Sequence, residues 1–289
     1  MEEQPHVLAE EPAMAMEVDD EPHGLGPMSL TEEEEELAAD IKAAVELDPE
    51  IKKLSDFLYA QFAIFALAQP DPPTLSDLVY QVQGFNQFKE DHNIQDTQQD
   101  AMAATTHFVR HLLPGYILSC QFGETTSVVV DAGRFDLAQL SDSQFLSEWL
   151  AGIFYMSHAS TRDFRTIRNG LHFFQECEGF SPPASLLFKL NPLRKWADLG
   201  AYYPMRFASY SMYHTNSLMN LVVSASRSLL PSFVHESFQV GCEMEGRLSD
   251  VLLVPTMEAA NDRIMSNLEG AFRERYAIEA KFSLESMSV

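Results

Sequence analysis

Apolar residues along the chain follow two periods, a helical one and a strand-like one, and their alternation predicts the order of elements. From Ile51 the residues Leu54, Phe57, Leu58, Phe62, Ile64, Phe65 and Leu67 recur at helical spacing until Pro70-Asp71-Pro72-Pro73 ends the run. Thr74 then opens a helix over Leu75 to Phe88, and Asp96 opens another that passes Met102 and Phe108 to reach Leu112. Upstream, Thr31 followed by Glu34 is a capping-box signature for a helix from Glu32 to Val45. The expectation is a helical region over residues 37–113.

Beyond it the period changes. Tyr116 to Gln121 and Thr126 to Asp131 read as strands joined at Gly123-Glu124, a hairpin. Ser141 to His158 returns to a helix whose broad apolar face holds Phe145, Leu146, Trp149, Leu150, Ile153, Phe154 and Met156. Leu171 to Cys177 is a third strand, which Glu178-Gly179 ends at a turn. Leu186, Leu187, Leu190, Leu193, Trp196 and Leu199 predict a helix interrupted at Pro192, Arg206 to His214 a fourth strand, and Phe238 to Cys242 a fifth. Glu258 to Ala280 mixes Arg263, Arg273 and Arg275 with acids and reads as an exposed helical tail. The fold class is α/β, a mixed sheet of about five strands covered by helices.

Ser217 to Leu230, ended by Pro231, stands apart from these elements. Its Leu218, Met219, Leu221, Val222, Val223, Ala225, Leu229 and Leu230 give too much apolar surface for a one-sided stripe. It is also far shorter than the ~20 apolar residues a membrane-spanning helix needs. Two readings stay open: an interior helix, or a lid over an apolar cavity.

The stretch Glu176-Cys177-Glu178-Gly179-Phe180-Ser181, then Tyr202-Tyr203-Pro204-Met205-Arg206, then a strand and an apolar helix ending Ser228-Leu229-Leu230-Pro231 resembles the CRAL-TRIO lipid-binding family. Leu112-Leu113-Pro114-Gly115 and Asp131-Ala132-Gly133-Arg134-Phe135-Asp136 resemble that family's opening strands and its Gly-Arg-aromatic-Asp segment. The family includes phosphatidylinositol and alpha-tocopherol transfer proteins. The resemblance implies a deep apolar pocket gated by the 218–230 helix. Its ligand-contacting residues would be Phe145, Trp149 and Ile153 on the wall helix, Phe173, Gln175, Met212 and His214 on the strands, Leu218, Leu221 and Val222 on the lid, and Arg227 where phosphatidylinositol binders carry a basic residue. After the Tyr-Tyr-Pro segment those members carry an acid that holds inositol, and this chain has Met205 there. The implied division is an acidic disordered tail over 1–36, the helical region over 37–113, a lipid-binding domain over 114–264 and a helical tail over 265–289.

Charge narrows the partners. Of the net −24, residues 1–50 carry −16, with 17 acids against Lys42, and residues 51–289 carry −8. No clustered basic surface is available for nucleic acid, so none is expected as partner. The remaining candidates are a lipid or other small hydrophobic ligand, a transient membrane surface, and a protein partner met by the acidic tail. Arg162, Arg165 and Arg168 recur every three residues and would form one basic face on a helical turn, solvated or able to meet phosphates or that tail.

Chemistry-bearing motifs are scarce. There is no GxSxG elbow, no P-loop and no Cys-x-x-Cys pair, so no catalytic residues are assigned and an enzyme is not expected. His107 and His111 share a helix face but lack a third ligand, so neither a metal nor a cofactor is expected. Cys120, Cys177 and Cys242 are odd in number and far apart, which fits buried thiols in a reducing, cytoplasmic setting. The expected function is non-catalytic binding, and transfer between membranes, of a hydrophobic ligand. The alternative is an interaction module of the same fold with a filled pocket; a hydrolase with an unrecognised site is a third.

Overall fold

The computed structural model describes residues 29–180, 195, 198–217, 220, 224, 237–242, 247–248, 252 and 256–284. Four helices come first: α1 (Glu32–Glu46), α2 (Asp56–Leu67), α3 (Leu75–Asp91) and α4 (Gln98–His107), the last continuing as one π-helical turn over Phe108–Leu112. Side-chain caps set their starts. Thr31 and Glu34 form the reciprocal capping box, as do Thr74 and Asp77. The run Glu32 to Glu36 is therefore the first turn of α1, where acids favour the helix dipole, and not the end of a tail. Thr97, not Asp96, caps α4; Asp96 is instead paired with the buried Lys89.

A mixed sheet follows. β1 (Ile117–Phe122) and β2 (Thr126–Asp131) form the hairpin, then come α5 (Ser143–Ser160), α6 (Phe164–Asn169), β3 (Leu171–Glu176), β4 (Phe207–Tyr213), β5 (Phe238–Cys242) and α7 (Met257–Glu279). Strand order is sequential, with β1 antiparallel to β2 and β2 to β5 parallel. Of the apolar 217–230 stretch, Ser217, Asn220 and Ser224 are described. All three are helical and exposed, and their spacing puts them on one face.

Register assigns the two faces of the sheet. One inner row holds Val128, Phe173 and Tyr210, and the next holds Val130, Gln175, Met212 and Val240. An outer row runs Gln121, Ser127, His172 and Ser209, half-buried or exposed, with His172 Nδ1 2.8 Å from Ser209 Oγ. Parallel strands are usually apolar on both faces. This outer row is polar, while the hydrophobic core, with its described helices, lies against the inner side: Ile117, Cys120, Val128, Val130 and Leu171 all join it.

That core is built around α2, whose residues Phe57 to Ala66 are all buried. Phe57 stacks on Phe164 at 4.8 Å, and Phe62, Phe85, Phe154 and Tyr203 continue the ring contacts toward α3 and α5. α7 is part of this core rather than an exposed tail. Ile264, Met265, Leu268, Ala271, Phe272 and Arg275 are buried at helical spacing, and the helix runs unbroken through the expected 264/265 boundary. Its exposed charges mask that stripe in the sequence. Asn267 also donates from Nδ2 to the Cys120 carbonyl at 2.7 Å, holding α7 beside β1.

Candidate functional site

The inner face of the sheet changes character toward the carboxyl ends of its parallel strands, where open α/β sheets hold ligands. There Ala132, Cys177, Phe180, Tyr210 and Met212 form a buried cluster separate from the main core, with Phe135, Phe173, Phe207 and Val240 packed against it. Phe173 and Tyr210 are in register on β3 and β4, their rings 4.7 Å apart. From the other side Phe135 stacks on Trp149 of α5 at 5.6 Å and meets Tyr116 at 5.8 Å. Phe135 and Phe173 touch both clusters, so they join the strand ends to the core.

Polar groups are set into this apolar surface. Tyr210 Oη donates to Gln175 Oε1 at 2.5 Å. Burial, and then the neighbouring Tyr116 and Cys177, hold the Tyr210 hydroxyl protonated by pushing its pKa well above the usual phenol value. Burial likewise pushes the Cys177 thiol up to about 12, which keeps it un-ionised and a poor nucleophile. Trp149, a main-core residue that meets this surface through Phe135, buries its indole N–H without a hydrogen-bond partner among the described residues. A donor placed so is one a ligand acceptor can satisfy.

A carboxylate ties the strand ends together beside this cluster. Glu176, the last residue of β3, is 1% exposed and accepts bonds from Glu178 N at 2.9 Å, Leu248 N at 3.3 Å and His214 Nδ1 at 2.9 Å. Its burial raises the pKa, but these bonds and the His214 charge outweigh burial and leave it below the usual glutamate value. His214 has a left-handed backbone, φ 50°, where the chain leaves β4. Gly133 is required nearby: a Cβ there would lie 2.5 Å from the Glu178 carbonyl oxygen. Thus residues 131–136 and 176–180, from two of the segments that carry the family resemblance, meet in space at Gly133 and Glu178.

Of the ligand-contacting residues expected from sequence, Phe173, Gln175 and Met212 share this face and Trp149 reaches it through Phe135. Phe145 and Ile153 lie one turn to either side of Trp149 on α5 and are half-buried against the main core. His214 is not on the face; its ring is engaged with Glu176. Leu218, Leu221, Val222 and Arg227 lie outside the described residues. Tyr210 and Phe135 were missed, although Tyr210 has the same strand parity as Met212 and Phe135 lies within the quoted Gly-Arg-aromatic-Asp segment.

The expected basic face on α6 is spent internally. Arg162 pairs with Glu274 at 2.8 Å and donates to the Gly123 carbonyl, while Arg165 pairs with Glu124 at 2.7 Å. Arg168 takes Glu34 at 2.5 Å and the Ser29 carbonyl at 2.9 Å, so the acidic partner it meets is the first turn of α1. His107 lies 3.0 Å from Glu148, and among the described residues no group of three His, Cys, Asp or Glu is placed to hold a metal ion. Cys120 and Cys177 are buried thiols and Cys242 is half-buried; all three are unbridged. No described helix is long and apolar enough to cross a membrane. No family model and no curated protein sequence matches the chain.

Proposed function

We propose that the chain is a divergent CRAL-TRIO-like protein that binds one small hydrophobic ligand or phospholipid without catalysis and exchanges it at membrane surfaces. One observation carries this reading: a buried apolar face at the carboxyl ends of parallel strands, set apart from the main core and joined through Phe135 to Trp149, whose buried indole N–H has no partner among the described residues. The gate in this reading is residues 218–230, of which Asn220 and Ser224 are described and exposed. Burying an acyl chain contributes about 0.8 kcal/mol per CH2, so a partly filled pocket suffices for retention. A cytoplasmic protein fits this role, with buried thiols kept reduced. Native mass spectrometry of the purified chain, followed by lipid analysis of an organic extract, tests it. One bound lipid per chain is expected, together with transfer between vesicles.

A second reading has its own support: Phe173, Tyr210 and Gln175 already satisfy one another, as in a pocket filled by its own side chains. The chain would then be an interaction module whose acidic segment before α1 meets a basic partner. No lipid would be extracted even after incubation with mixed vesicles. Deleting residues 1–28, which spares the Thr31 cap, would abolish partner binding.

A further inference from the structure

A concavity lies in the helical layer, away from the strand ends. It is a cleft of about 250 Å³ between the α1–α2 connection, the last turns of α3 and the α3–α4 connection. That is far more than the ~30 Å³ share of a single water. Its wall is fixed. Ile94 N returns to the Lys89 carbonyl at 2.8 Å with Asn93 left-handed at φ 51°, a helix-ending turn. Beneath it Tyr155 Oη both accepts from Gln95 N and donates to Gln95 O, each at 2.9 Å.

Two buried side chains line the cleft, three residues apart on one face of α3. Asn86 is 7% exposed, and its Nδ2 donates to the Lys52 carbonyl at 2.7 Å. That bond fixes which end of the amide is which, and the buried Oδ1 is left without a donor among the described residues. Lys89 is 4% exposed, pairs with Asp96 and lies over the Phe85 ring, and an ammonium has three protons to give. Lys52 and Lys89 are balanced in the cleft by Glu90 and Asp96. An anion there would face Asn86 Oδ1 and two carboxylates, and a cation would face two ammonium groups. A neutral group that both donates and accepts satisfies Asn86 and Lys89 together, and a vicinal diol is such a group.

We propose that this cleft is a binding site for a small neutral polyol, independent of the lipid reading. The test is titration of the ¹⁵N-labelled full chain with xylitol, and separately with acetate, followed by amide spectra. Xylitol should shift the Asn86 side-chain amide and the Ile94 and Gln95 backbone amides saturably, and Asn86→Leu should weaken that binding at least about tenfold. Because Asn86→Leu also gives up the Lys52 bond, the exposed Glu90→Arg serves as a second variant. It should allow acetate to bind, as the loss of one of the two carboxylates that balance the lysines requires. Absence of a saturable xylitol shift would mean a water-filled cleft and overturn the proposal, and acetate binding the wild type more tightly than xylitol would make it an anion site.

Discussion

The main core and the strand-end cluster bury polar groups with partners of different reach. In the core the fully buried Arg275 donates to Gln61 at 2.8 Å, to the Thr161 carbonyl and to Glu279 at 3.2 Å, with its guanidinium 4.1 Å from the Phe57 ring centre. Its partners come from α2, the end of α5 and α7, so one charge fastens elements that are far apart in the chain. At the strand ends the Tyr210–Gln175 pair and the Glu176 carboxylate, held by His214, bond within the ends of the neighbouring strands β3 and β4. The first arrangement fixes distant elements to one another, whereas the second orders neighbouring strand ends beside an apolar surface.

If that contrast holds, Arg275→Ala is the most damaging single change. It leaves the Thr161 carbonyl and Gln61 buried without their donor and removes one of the partners of the half-buried Glu279, and breaking a buried charged network costs about 3–5 kcal/mol. Urea unfolding of the variant should show that loss. Met212→Ala at the strand ends should cost less, about 2 kcal/mol, because Met212 belongs to a small satellite cluster. It should nonetheless lower the amount of lipid recovered per chain more than Arg275→Ala does in the fraction that remains folded. Equal stability costs with unchanged lipid recovery would make the two regions alike and favour the filled pocket.

The fold was more legible in the sequence than the site was. Thr31, Thr74, the Gly123-Glu124 hairpin and the alternation through β3 and β4 signal elements by local physics, and the structure has them within a few residues. α7 was misread because its burial depends on a stripe at 264, 265, 268, 271, 272 and 275 that Arg263, Arg273 and the surrounding acids dilute in composition. The Arg162, Arg165 and Arg168 series was read as a face, but its partners Glu274, Glu124 and Glu34 lie far off in sequence, where no local pattern reveals them. Phe173, Gln175 and Met212 were legible because strand parity and register together place them on one face. The union of Phe135 with Trp149 was not, since it depends on how the loop after β2 folds back over α5.

A smaller effect separates the regions by pH. His158 lies wholly buried in the core, 3.1 Å from Tyr203 Oη, and burial, then the Arg275 and Lys89 charges, lower its pKa well below 6.5. Between 6.5 and that lowered value the unfolded chain binds a proton that the folded chain refuses. Its stabilising contribution is therefore complete above pH 6.5 and declines by about 1.4 kcal/mol per pH unit below it. His92, lowered by burial and then Lys195, acts in the same sense. Unfolding midpoints measured from pH 7.5 to 5 should fall along this slope, and His158→Gln should flatten it by one proton's worth. No strand-end variant should change it.

The smallest effects distinguish the ion pairs of α6. Arg165 and Glu124 are both largely solvent-facing, so Arg165→Ala should change stability by less than about 0.5 kcal/mol. Arg168 differs because Glu34 is mostly buried and Arg168 also bonds the Ser29 carbonyl, so Arg168→Ala should cost about 1 kcal/mol. Burial raises the Glu34 pKa, but hydrogen bonds from Arg168 and Thr31 lower it further, leaving it below 4.5. A carboxylate so depressed contributes stability above pH 4.5 and loses it as pH falls through the folded value. The cost of Arg168→Ala should accordingly shrink below pH 4.5 while that of Arg165→Ala stays near zero throughout. A cost that persisted in acid would trace the link between α1 and α6 to the Ser29 carbonyl bond rather than to the ion pair.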